Sequence, residues 1–109
     1  MTVSELAVNM GLETLSLPHP DREVTSAYAG DLLSWVMGKA CADNVWITIM
    51  SNVNIIAVAT LTDVGAILLS EGVTPENSII ELAVAKGVNV FVTELSSYEA
   101  ALAVAGALK

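Results

Sequence analysis

Hydrophobic positions along the chain fall into two spacings that take turns. Short apolar, β-branched runs at Leu12–Leu17, Val24–Ala29, Val45–Met50, Gly65–Ser70 and Val88–Thr93 each have the length of a strand. The last three do not alternate with polar residues, which predicts strands buried on both faces. Around them lie five stretches with helix-type ends. Thr2 with Glu5 has the spacing of a capping box, and Gly11 closes that first helix. Asp31 is placed to cap a helix running to about Ala40, and Asn52 to cap one over about Val53–Asp63. Thr74 is the expected cap of the fourth, with Pro75 at its first position and Gly87 just past its end. Ser96 with Glu99 is a second capping box, opening a helix that runs almost to Lys109.

From Val24 onward strand and helix alternate with short connections. That order predicts parallel strands joined by right-handed crossovers. The expected fold is therefore α/β and three-layered, a mostly parallel sheet of about five strands with helices on both faces. Leu12–Leu17 precedes the alternation and is expected to pair at an edge. At 109 residues, with no linker, repeat or low-complexity tract, the chain is expected to form a single domain over 1–109.

The last two helices to be explained carry too much apolar surface. Tyr98, Ala101, Leu102, Ala105 and Leu108 make a stripe suited to packing on a sheet, yet the other side, Ala100, Ala103, Val104 and Ala107, is also apolar. The helix NIIAVATLTD is apolar all round as well. Composition sharpens the point: 54% of residues are hydrophobic, mean hydropathy is +0.66, and only 15% are charged. The most apolar window, Val53–Leu69, is broken by Asn54, Thr60, Thr62, Asp63 and Gly65 and is too polar to span a bilayer. Another copy of the chain is the expected cover, so a homodimer is predicted.

Charge removes other partners. Twelve acids against four scattered bases give a net charge of −8, which repels nucleic acid and anionic membrane. A lone Cys41 excludes an internal disulfide, and no basic start leads into an apolar run, so a cytoplasmic location is expected. A single His19, with no second His or Cys beside it, supplies no transition-metal ligand set, and Cys41 lacks a base to activate it. No nucleophile elbow, P-loop or dinucleotide fingerprint occurs. No catalytic residue and no cofactor is therefore assigned.

The loops after the strands' carboxyl ends share one edge of a parallel sheet, where such folds bind ligands. They supply the candidate ligand-binding residues Gly30, Asp31, Asn52, Asn54, Ser70, Gly72, Thr93 and Ser96, which are expected to converge. Three readings stand side by side: helix caps only, a small-molecule or nucleotide site, and a hard cation held by Asp31, Glu71 and Glu94.

The stretches EVTSAYAGDLLSWVM, VWITIMSNVNIIAVATLTDVGAILLSEG and TELSSYEAALAV together resemble the small stand-alone members of the DRTGG-domain family. The resemblance runs from Thr2 to the last helix, and GDLLS followed by NIIAVA is its most specific part. It implies an α/β fold like the amino-terminal domain of HPr kinase/phosphorylase. It also implies a role as an accessory or regulatory module that helps dimerise, as in relatives joined to phosphate acetyltransferases and CBS-domain pyrophosphatases. Some stand-alone relatives are encoded beside iron-hydrogenase components, which makes such an enzyme an implied partner. The family's acid-arginine pair and Thr-Gly-Gly read here as Asn52-Val53-Asn54 and Ser70-Glu71-Gly72. The serine-kinase label that such members carry needs a phosphate-binding loop that these 109 residues do not contain.

Together these expectations describe a non-catalytic, homodimeric module that senses a small, nucleotide-like ligand or docks on a partner enzyme. The alternatives are a small nucleotide- or metal-binding subunit or enzyme built on the same loops, and a purely structural assembly subunit.

Overall fold

A computed structural model describes all of residues 1–109. The elements in chain order are α1 (Val3–Met10), β1 (Glu13–Ser16), β2 (Ser26–Ala29), α2 (Leu33–Lys39), β3 (Asn44–Thr48), α3 (Asn54–Thr62), β4 (Ala66–Leu69), α4 (Asn77–Lys86), β5 (Val90–Val92) and α5 (Ser97–Ala107). The strands form one five-stranded sheet in the order β1-β5-β4-β3-β2, parallel throughout except for β1, which runs antiparallel to β5 at the edge. The expected α/β, three-layer architecture is the one observed.

The parallel strands step across the sheet in one direction without reversing. Crossovers of one hand that all step the same way must put their helices on the same face. Accordingly α2, α3 and α4 lie together, packing Val36, Ile55, Ile56, Ile79 and Ala83 over Trp46, Ile67, Leu69, Val90 and Val92. The opposite face, with Val45, Ile47, Ala66, Leu68 and Phe91, would be left bare by that rule. Helices α1 and α5 cover it with Val3, Leu6, Ala100 and Val104. Alternation along β3 and β4 thus feeds two cores, which is why these runs are apolar without interruption.

Several sequence expectations are corrected at this level. Helix α3 buries Ile55, Ile56, Val58 and Ala59 between the sheet, α2 and α4, which accounts for most of its apolar residues, and leaves Ala57 and Leu61 exposed. On α5 the buried face is Ala100 and Val104, with Tyr98 and Leu102 outward at 73% and 55% exposure. Small residues let that helix sit close to the sheet; the larger stripe is the one it turns away. Helix α4 begins at Asn77 with Glu76 as N-cap, not at Thr74-Pro75, and no side chain caps it. The two capping boxes form as expected, and Gly11 and Gly87 end α1 and α4 in the left-handed conformation.

The amino edge of the sheet is tied by polar side chains. Arg22 donates to Asp43 Oδ1 at 3.0 Å and to Asp63 Oδ1 at 3.2 Å, joining the two left-handed turns that precede β3 and β4. Buried Asn89 accepts from His19 N and donates to His19 O and Gly65 O, all at 3.0 Å. Gly65 must be glycine: a Cβ there would lie 2.5 Å from Val24 Cγ1.

Candidate functional site

The carboxyl edge is built from four loops and the start of β1. Because β1 is antiparallel, its first residue, Glu13, pairs with Val92 and arrives at the edge where the parallel strands end. After β4 the chain turns toward α4 on one face; after β5 it turns toward α5 on the other. The two departures open a cleft of about 500 Å³ lined by Glu13, Gly72, Thr74, Thr93, Glu94 and Glu99, with Met10, Gly11, Val92 and Leu95.

Its floor is a stitched pair of loops. Glu71 N donates to Leu95 O at 2.8 Å and Gly72 N to Thr93 O at 3.0 Å. Ser70 Oγ lies 2.7 Å from Ser97 Oγ, and Ser97 N donates to Glu71 Oε2 at 2.9 Å. These bonds hold Glu71 and Gly72 in consecutive left-handed conformations, with φ of 61° and 72°. At Gly72 a Cβ would also sit 2.6 Å from Glu94 Oε2, the far end of an exposed side chain that can swing aside, so the demand for glycine comes from the backbone conformation.

The candidate residues divide among separate tasks. Gly72 and Thr93 line the cleft. Asn52 lines a neighbouring depression of about 600 Å³ with Ser51, Thr74 and Glu76. Its Oδ1 accepts from Asn54 N at 2.9 Å, but the N-cap of α3 is Val53, so the expected cap is displaced by one residue. Ser70 is buried beneath the stitched loops, and Ser96 is occupied by its capping box. Asp31 is corrected as well: Leu32 is the N-cap of α2 and bears no side-chain cap bond. The Asp31 carboxylate instead accepts from Thr48 Oγ1 at 2.8 Å and Ile49 N at 3.0 Å, strapping the end of β2 to the end of β3. Gly30 beside it accepts from Trp46 Nε1 at 2.9 Å.

The cleft is acidic. Glu13, Glu94 and Glu99 face it, and no Lys, Arg or His lines it. The backbone N–H of Ser96, the main cause, and the Ser96 hydroxyl hold the Glu99 carboxyl below its ordinary value. Asp31, Glu71 and Glu94 do not gather, and no three His, Cys, Asp or Glu side chains are placed to share a metal ion. Sequence reasoning missed Glu13, Met10 and Gly11 as lining residues. The edge strand expected at Leu12–Leu17 was the available signal, and its antiparallel direction is what brings them to this side.

An α/β module of this kind, three-layered with its cleft between the loops that lead into α4 and α5, has a family. The chain belongs to the DRTGG domain family, whose model matches residues 31–107. No curated protein matches it. Among solved structures it is similar in fold to the CBS and DRTGG domains of the regulatory region of Clostridium perfringens pyrophosphatase, crystallised with the activator diadenosine tetraphosphate. The TM-score is 0.70 at 16% identity, covering 94% of this chain and 45% of that one. The chain thus spans less than half of that regulatory region. No helix is long and apolar enough to cross a membrane.

Proposed function

We propose that the chain is a non-catalytic regulatory module that senses a small, nucleotide-like ligand at the cleft between the loops leading into α4 and α5. The observation that carries this reading is the fold likeness, over 94% of the chain, to a regulatory region crystallised with a nucleotide activator. The chemistry of the cleft supports it in kind: hydroxyls, backbone groups and carboxylates, but no paired nucleophile and base. His19 sits at the amino edge, hydrogen-bonded through its backbone to Asn89.

Three carboxylates set the manner of binding. A bare polyphosphate would be repelled, so a nucleotide enters with its magnesium or presents its base and ribose, whose N–H and O–H groups the carboxylates accept. The stitched loops connect the cleft to both helix layers, so a ligand that binds one spacing of α4 and α5 better than another shifts the population toward it. A thermal-shift panel of nucleotides, diadenosine tetraphosphate among them, with and without magnesium, tests the reading. A ligand at 100 times its Kd adds about 2.7 kcal/mol of stability. No shift from any nucleotide at millimolar concentration would refute it.

A further inference from the structure

The two edges of the sheet are treated differently. At the β1 edge the register slips between Thr14 and Ser16, Glu13 adds a charge, and α4 packs against the strand. Bulges, charges and cover are the devices by which edge strands avoid pairing with other chains. The β2 edge has none of them. Its sequence is Ser-Ala-Tyr-Ala, without proline, lysine or bulge, and Ser26, Ala27 and Ala29 are exposed. β3 is its only neighbour, and no loop or side chain hydrogen-bonds to residues 26–29.

The ground on either side of that edge is apolar. On one face a groove of about 400 Å³ runs between β2 and α5, walled by Ala27, Ala29, Ala101, Ala105 and Leu108. On the other, the α2 segment exposes Leu32, Trp35 and Met37 to solvent at 61%, 59% and 42%. Charge says what covers it. Of the twelve acidic side chains only Asp31 falls in residues 24–42, its carboxylate held by Thr48 Oγ1 and Ile49 N, and none falls in 100–109, where Lys109 stands as Lys39 does on α2; the chain as a whole carries −8. A second copy meets repulsion on approach elsewhere and least of it here. A standard interface needs about 800 Å² per partner.

We propose that the outer edge of β2 pairs with the same edge of a second copy, joining two five-stranded sheets into one continuous sheet, with α2 and α5 of each copy closing against their counterparts. The contact is isologous, so each patch needs to match only itself, and it leaves no open edge on that side. The proposal goes beyond the sensing role. It rests on the edge, not on the cleft.

The test is the mass of the full chain in solution, with amide exchange as the local readout. Light scattering at micromolar concentration is expected to give about twice 11.3 kDa. Ala27→Glu and Ala105→Glu, each at an exposed position, are expected to return the chain to monomer with its circular dichroism unchanged; Val8→Glu on α1 is expected to leave the dimer intact. Amides of Ser26–Ala29 are expected to exchange more slowly as protein concentration rises, a readout that serves even if a variant fails to fold. A wild-type monomer, a dimer that survives both carboxylates, or exchange at β2 that ignores concentration would overturn the proposal, whether the edge then served a foreign strand or none. Neither result bears on the nucleotide panel, so the two readings fail separately.

Discussion

Gly72 meets its main constraint in the backbone. Its φ of 72° lies where L side chains are disfavoured, and its missing Cβ makes room for the Glu94 carboxylate. Gly72→Ala is expected to cost about 1–2 kcal/mol from the left-handed backbone alone. At about 4–8 °C per kcal/mol for a domain near this size, that lowers Tm by about 4–16 °C. A thermal melt checks it, and an unchanged Tm would mean that the stitched loops are looser than their hydrogen bonds describe. Glu71 holds a similar conformation without being glycine, because Leu95 O and Ser97 N hold it from the facing loop. Arg22 does the comparable task at the other edge, where Asp43 and Asp63 take left-handed turns and share its guanidinium.

At the scale of elements, the two capping boxes make the pH dependence predictable. Backbone and side-chain bonds from Thr2 and Ser96 hold Glu5 and Glu99 below their ordinary 4.5. A carboxyl depressed in the folded state contributes stability that is present above 4.5 and is lost as pH falls through the folded value. Glu99→Gln keeps a capping side chain but cannot titrate, so its Tm is expected to fall less steeply than wild type below pH 4.5. Parallel acid limbs would contradict this. These boxes, the helix-ending glycines and the strand runs were legible in the sequence because each is a local pattern with a local partner. Asp31 shows where that ends: its position before LLSW reads as a cap, but Thr48 and Ile49, seventeen and eighteen residues on, take its carboxylate. Thr74-Pro75 reads as a helix start, yet the backbone reaches α4 only at Asn77. On α5 both faces are apolar, so spacing marks a helix but leaves open which side the sheet receives. The cleft depended on the least local fact of all, a first strand that returns to pair with the last.

For the whole molecule, the field of eight net negative charges sets the terms of association. The chain measures 31 × 25 × 24 Å, so the Debye length of about 30 Å at 0.01 M salt reaches across an entire neighbour, and about 8 Å at 0.15 M does not. A dimer joined through this acid-poor edge is therefore expected to tighten as salt rises over that range, the reverse of a contact held by ion pairs. Sedimentation at the two salt concentrations reads the sign directly, and weaker association at high salt would contradict a contact made without ion pairs.

The family match begins at residue 31, but Val3, Leu6, Ala7 and Val24 lie before it and form the roof over Phe91 and Leu68. A fragment trimmed to the matched span would keep β3, β4 and β5, lose both outer strands, and leave the back of the sheet wet beneath α5 alone. The smallest piece of this protein that can be grafted onto another is the full run from α1 to α5.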